Sequence, residues 1–189
     1  MMLGVSLKNG LEIILSSNFT SLPYILMTKK IIERIGGVVK IQDRKIFIEQ
    51  FKEKVIPEQF VESDWSSASY FFSLAALSKS VKLTLSKFSK DSLQGDSRLI
   101  DIYKKFGVET IFEDEKIILT KNNISLPKSI HLNLIDNPDL AQTILITCLG
   151  LGIDCTLEGL HTLKIKETDR LMALKLSLIH ISEPTRLRR

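Results

Sequence analysis

The sequence predicts an α/β (α+β) protein whose small sheets are covered by helices. Three observations carry that prediction. A strand–helix–strand–strand pattern recurs roughly every 70 residues, apolar helical segments lead its second and third copies, and glycines stand where helices must stop.

The first copy begins with the strand-like run LEIIL at 11–15 and continues into the helical segment LPYILMTKKIIERIGG at 22–37. Two runs rich in Val and Ile close it, VVKIQD and KIFIEQ. Gly36 and Gly37 fall where a helix end needs a left-handed residue. The second copy opens on the apolar helix SSASYFFSLAALSKS, for which Asp64 or Ser66 is the expected cap. Then come VKLTL at 81–85, the helix SRLIDIYKKFG stopped by Gly107, and the strands VETIFED and KIILTK. The third copy brings the helix PDLAQTILITCLGLG, the strand CTLEGL at 155–160 and a helix opened by KETDR. Helices that return a strand to its own sheet imply right-handed crossovers.

The copies are uneven. The first lacks its leading helix and the third stops inside its second helix, so both ends read as cut. After Lys175 the helical pattern predicts a charged amphipathic continuation. LSLIHISEPTRLRR (176–189) instead supplies an apolar stretch and then Glu-Pro-Thr, and reads as foreign to the fold.

Hydrophobic residues make up 44% of the 189 and charged residues 25%, which is ordinary for a globular chain. No apolar run approaches the roughly 20 residues that span a bilayer, and MMLGVSLKNG lacks the features of a signal peptide. Cys148 and Cys155 have neither metal spacing nor a disulfide framework, and with His131 and His161 they read as structural. The expected compartment is a reduced cytoplasm. Of the formal charge of +4, the last fourteen residues hold +2, with Arg186, Arg188 and Arg189 against Glu183. The remainder has no basic stripe, so neither nucleic acid nor membrane is an expected partner. Positive charge gathered at a few positions better fits a pocket for small anions.

Four stretches could carry chemistry. In IKETDRLMALK, a helix starting near Glu167 would place Lys166, Glu167 and Arg170 on one face. Its free N–H groups and positive end would then form an anion site. An exposed ion-pair network explains the same spacing. In DNPDLAQT, Asn137-Pro138 signals a helix start and puts Asp139 in the first turn, as a cap or as a general base. In TSLPYI, Ser21 is an N-cap candidate and Tyr24 lies one turn on; both hydroxyls could meet phosphate or merely serve the helix. In ESDWSSASYFF, plain capping is favoured.

Taken in order, SLPYI, VESDWSSASYFF, LQGD-R, PDLAQT and LKIKETDRLMALK resemble the 5-enolpyruvylshikimate-3-phosphate synthase family, the 3-phosphoshikimate 1-carboxyvinyltransferases, over residues 7 to 175. The resemblance implies an inside-out α/β barrel built from βαβαββ repeats, in two domains that are both incomplete here. Residues 1–61 would be the end of the upper domain, 62–175 most of the lower one, and 176–189 a non-native tail. It implies transfer of the enolpyruvyl group of phosphoenolpyruvate to the 5-hydroxyl of shikimate 3-phosphate, releasing phosphate, on the route to chorismate and aromatic amino acids. No cofactor and no metal are implied, and the full-length enzyme would be a monomer.

Carried over residue by residue, Asp139 would accept the hydroxyl proton, and Lys166 would touch both substrates and take part in proton transfer. Glu167 would handle the proton at the methylene carbon, and Arg170 would hold phosphoenolpyruvate. Ser21 and Tyr24 would bind shikimate 3-phosphate. Thr162 stands where some members have asparagine, which leaves that substrate contact open. The family's early basic residues, Gly-rich loop, Ser-Ser-Gln motif, Asp-His-Arg motif and final lysine are not in the chain, so it is expected to be inactive alone. UDP-N-acetylglucosamine enolpyruvyl transferase and a non-catalytic module of the same fold are the alternatives. KETDR speaks against the first.

Overall fold

The computed structural model describes residues 1–16, 21–51, 58 and 60–182. Its first unit comprises β1 (Leu11–Ile14), α1 (Leu22–Arg34), β2 (Val39–Gln42) and β3 (Lys45–Ile48). β3 pairs antiparallel with both others, so β1 and β2 run parallel on either side of it, and α1 is the crossover between them. A leading helix, α2 (Trp65–Leu77), opens the second unit. It continues as β4 (Lys82–Ser86), a 3-10 turn Gly95–Arg98, α3 (Leu99–Lys104), β5 (Val108–Glu113) and β6 (Lys116–Lys121). Its sheet repeats the first order, with the last strand in the middle. Asp43 and Asp114 take the same left-handed conformation in the two matching hairpin turns, a conformation Asp tolerates.

The third unit holds β7 (Ser129–Asn133), a 3-10 turn Pro138–Leu140, α4 (Ala141–Leu151) and β8 (Asp154–Glu158). A 3-10 turn His161–Ile165 and α5 (Arg170–Ser182) follow. β7 was not expected from sequence. It runs parallel to β8, with Ile130 opposite Cys155, and is the strand that makes α4 a parallel crossover.

Two details differ from expectation, and one open choice is settled. Gly36 and Gly107 are left-handed, at φ 91° and 82°, but Gly37 is not. A Cβ there would lie 2.5 Å from Ile32 Cγ2, so Gly37 is needed for close approach rather than for its φ. The last helix starts at Arg170 rather than Glu167, because Asp169 caps it, with Oδ1 accepting from Met172 N at 3.0 Å. It stays helical through Ser182, while 183–189 lie outside the described residues. Of the two cap candidates for α2, Asp64 is the one used: its carboxylate accepts from the N–H groups of Ser66 and Ser67, both at 3.0 Å.

The main core lies between α2, α3, α4 and the second and third sheets. Trp65 packs edge-on to Phe88 at 4.8 Å, and Phe72, Tyr103 and Phe106 form a chain of edge contacts at 5.6 and 5.5 Å. Several polar groups buried among them are matched. Thr147 Oγ1 meets Ser73 Oγ at 2.7 Å and Tyr103 Oη at 3.1 Å, tying the three helices together. Lys121 Nζ donates to the carbonyls of Ala76 and Phe106, at the ends of α2 and α3. No described helix is long and apolar enough to cross a membrane.

Candidate active site

Four helix starts meet at one face. α1 brings Tyr24 in its first turn, α2 brings Ser66, the turn before α4 brings Asn137 and Asp139, and α5 brings Arg170. Each start leaves backbone N–H groups and a positive dipole end without intrahelical partners. Carboxylates gather there in response.

Asp139 is the hub. Its Oδ1 accepts from Arg170 Nη1 at 2.7 Å, and its Oδ2 lies 3.4 Å from Lys166 Nζ and 3.5 Å from the Tyr24 hydroxyl. Arg170 also grips Glu167, with Nη2 at 2.7 and 2.9 Å from the two carboxylate oxygens and Nε at 3.0 Å. This is the planar fork geometry that arginine makes and lysine cannot. The Asp139 and Arg170 side chains are 16% and 22% exposed, whereas that of Glu167 is 67% exposed. Hence the Asp139–Arg170 contact is the less screened of the two pairs.

Lys166 and Glu167 precede the helix, Lys166 in extended backbone. The shared face expected from helical spacing is therefore made by a loop folding back on Arg170. In the first turn of α5 the Met172 N–H is taken by the Asp169 carboxylate. The Arg170–Glu167 hydrogen bonds hold the guanidinium pKa above its usual value. Glu167 is held below the usual carboxylate range by its own backbone N–H and by Arg170. Burial foremost, then the charges of Asp96, Asp139 and Asp64, push the Tyr24 hydroxyl up to about 12, so it is a neutral donor near pH 7.

Ser21 occupies the N-cap position of α1 but makes no cap hydrogen bond. Its backbone is left-handed, at φ 55°, which is rare for a residue with a side chain and often marks a functional site. Thr162 lies in the 3-10 turn His161–Ile165, just before Lys166. Its hydroxyl oxygen is buried and has no hydrogen-bond partner among the described residues. Tyr24, Asp139, Lys166, Glu167 and Arg170 thus come together, Ser21 lies beside them in the chain, and Thr162 faces inward.

From the sequence, Asp96 has no assigned role and Asn137 only that of a helix-start signal with Pro138. Asp96, 4% exposed, accepts from the Ser66 hydroxyl and from Asn137 Nδ2 at 3.3 Å. Burial is the chief cause of its raised pKa. The two bind the α2 start to the Asn137–Pro138–Asp139 turn. The available signal was LQGD, a Gly-containing turn ending in an acid. Glu62 was also passed over. It accepts from Trp65 Nε1, Ser89 N, Ser92 Oγ and Gln94 Nε2 and anchors the same loop.

The cysteines and His131 read as structural. Burial pushes the Cys148 thiol up to about 12, which suits packing rather than nucleophilic attack. His131 lies 2.9 Å from Glu158 across exposed side chains of β7 and β8. Among the described residues no His, Cys, Asp and Glu group could hold a metal ion. A cavity of about 750 Å³ opens over the first sheet, lined by Lys8, Glu12, Lys40, Phe47 and Glu49. It shares no residue with the Asp139 cluster.

A family model described as EPSP synthase (3-phosphoshikimate 1-carboxyvinyltransferase) matches residues 1–182. The 3-phosphoshikimate 1-carboxyvinyltransferase of Bacteroides fragilis strain YCH46 is 38% identical over 176 residues, covering 93% of this chain and 42% of that protein. The enzyme of the same name from Methanospirillum hungatei is 32% identical over 170 residues, covering 88% and 39%. A solved EPSP synthase from Acinetobacter baumannii superposes with a TM-score of 0.54 at 18% identity, over 93% of this chain and 40% of that one. That likeness shows the fold, the inside-out α/β type expected from the sequence. The chain spans about two-fifths of the length of the curated relatives it matches. With a family model covering nearly the whole chain and the motif residues drawn together around Asp139, the chain belongs to the EPSP synthase family.

Proposed function

We propose that this chain serves the transfer of the enolpyruvyl group of phosphoenolpyruvate to the 5-hydroxyl of shikimate 3-phosphate, as the part of a longer cytoplasmic transferase that supplies the acid, the lysine and one arginine of the site. One observation supports this most: Tyr24 from α1, and Lys166 and Arg170 from the stretch that opens α5, all reach the single carboxylate of Asp139. In this reading residues 1–61 end an upper domain and 62–175 form most of a lower one.

Asp139 accepts the proton of the hydroxyl as its oxygen bonds to the substituted vinyl carbon. Lys166 or Glu167 delivers a proton to the methylene carbon, giving a tetrahedral intermediate. Elimination then removes a proton from that same carbon as inorganic phosphate departs. Two cations and two carboxylates make the cluster neutral before substrate enters. Anionic substrates draw Arg170 away from Glu167 and Lys166 away from Asp139, which frees both acids for proton transfer. Preorganised charges of this kind are each worth ~10²–10³ in rate. The chemistry needs no cofactor, and Ser21 and Tyr24 hold the shikimate 3-phosphate.

The test is an NMR titration of the isotope-labelled chain with shikimate 3-phosphate and, separately, with UDP-N-acetylglucosamine. Shikimate 3-phosphate is expected to shift the amides of Ser21, Tyr24, Asp139 and Lys166, without turnover when phosphoenolpyruvate is added. A response only to the sugar nucleotide, or none at millimolar shikimate 3-phosphate, would overturn the reading.

A further inference from the structure

The loop Gln94-Gly95-Asp96 lies where the first unit meets the rest of the molecule. Gly95 opens the turn Gly95–Arg98. A Cβ placed on it would stand 2.6 Å from Pro23 Cβ, 3.0 Å from Pro23 Cγ and 3.2 Å from Asn137 Nδ2. Carbon atoms prefer about 3.5–4.0 Å, so a single methyl group would need roughly 1 Å of retreat. Gly95 is not in the left-handed region, so its backbone conformation alone would accept alanine. The obstacle is the facing proline.

The loop cannot give way. Gln94 Oε1 accepts from Trp65 N at 2.9 Å and its Nε2 donates to Ser63 O at 2.8 Å, while Asp96 is held by Ser66 and Asn137. On the other side, Pro23 belongs to the first turn of α1 and its ring fixes its φ. The next residue, Tyr24, reaches Asp139 at 3.5 Å, the outer limit of a hydrogen bond.

We propose that Gly95 is a positioning residue: its bare backbone is the seat on which Pro23 rests, and that seat sets how closely Tyr24 of the first unit approaches Asp139 of the other. A side chain at 95 tilts the start of α1 outward and breaks the Tyr24–Asp139 contact, leaving each unit folded. The consequence for catalysis rests on the reading of Tyr24 and Asp139 as one substrate site. The seat itself does not, because it is tested without substrate.

The experiment uses the whole chain with carbon-13-labelled tyrosine, whose three tyrosines are followed separately by NMR. In the unaltered chain the Tyr24 hydroxyl is pushed up to about 12 by burial, and then by the charges of Asp96, Asp139 and Asp64, with Lys166 and Arg170 behind Asp139. In Gly95→Ala its midpoint is expected to fall by about one unit or more toward the ordinary value near 10. Tyr103, raised by burial in the main core, stays where it was. Adding Pro23→Gly to Gly95→Ala removes the opposing ring and returns the Tyr24 midpoint toward its original value. An unchanged Tyr24 midpoint in folded Gly95→Ala would overturn the proposal, as would an equal fall at Tyr103. Should Gly95→Ala not fold, the unaltered chain decides: a strong nuclear Overhauser effect between the Pro23 ring and the Gly95 α-protons supports the seat, and its absence overturns it. A chain that passes these tests yet ignores shikimate 3-phosphate would sink the functional reading alone.

Discussion

The two strand–helix–strand–strand units, 11–48 and 82–121, share one topology and one hairpin turn but bury very different amounts. In the first, the buried apolar side chains are Ile32, Val39, Ile46 and Ile48, drawn from α1 and from β2 and β3. In the second, Phe88, Leu99, Tyr103, Phe106, Ile117 and Leu119 join Trp65 and Phe72 of α2 and the α4 side chains in one continuous core. The same local pattern thus builds the same local sheet twice, while the depth of the core depends on whether a leading helix lies over it. Local periodicity sets the topology, and burial is collective.

Core truncation should break this comparison most visibly. Phe72→Ala is expected to cost ~3–5 kcal/mol, against the lower end of ~2–5 kcal/mol for Ile46→Ala. Urea unfolding followed at Trp65 should shift strongly for Phe72→Ala and little for Ile46→Ala. Equal shifts would mean that the two units share one cooperative core.

A smaller contrast lies at the start of α2. Burial pushes the Asp64 pKa upward, but the Ser67 hydroxyl and the N–H groups of Ser66 and Ser67 outweigh it and bring the pKa below the usual value. Its contribution is present above the ordinary carboxylate pKa of about 3.9 and is lost as pH falls through the lower folded value. Asp96 has the opposite sign. Burial raises its pKa, so the folded state keeps a proton that the unfolded chain has released. Stability therefore falls as pH rises through that window, and the cost remains at neutral pH. Stability measured from roughly pH 3 to 6 should lose its acid-side decline in Asp64→Asn and its opposing slope in Asp96→Asn. The loss of the cap in Asp64→Ala should cost ~0.5–2 kcal/mol at neutral pH.

The smallest effect belongs to the exposed face of the first sheet. Lys40 and Glu49 pair at 3.0 Å with more than half of each side chain exposed. Lys40→Ala should change stability by ~0–1 kcal/mol, and molar salt should erase even that. A larger loss would mean that this thin unit leans on its ion pairs more than its twin does.

Most elements were legible because their signals are short-range. Strand alternation, helical stripes and the glycines at 36 and 107 act within a few residues. β7 escaped because SIHLN is brief and finds its partner only in β8, across an intervening helix. The start of the last helix was misplaced because two anchors competed. The Asp169 cap starts the helix at Arg170, and Arg170 then draws Glu167 back from outside it. The contact of Asp96 with Asn137 was not legible because it joins positions 41 apart.

By itself the sequence determined the order of strands and helices, the recurrence of the unit, and which ionisable residues stand at helix starts. These follow from backbone periodicity and capping, which read only near neighbours. Only the tertiary structure decided that Tyr24 meets Asp139 across 115 positions, that Asp96 is buried while Glu167 is not, and that Gly95 lies under Pro23. Through-space charge and close packing depend on distances between elements, and those distances come into being when the separate units close on one another.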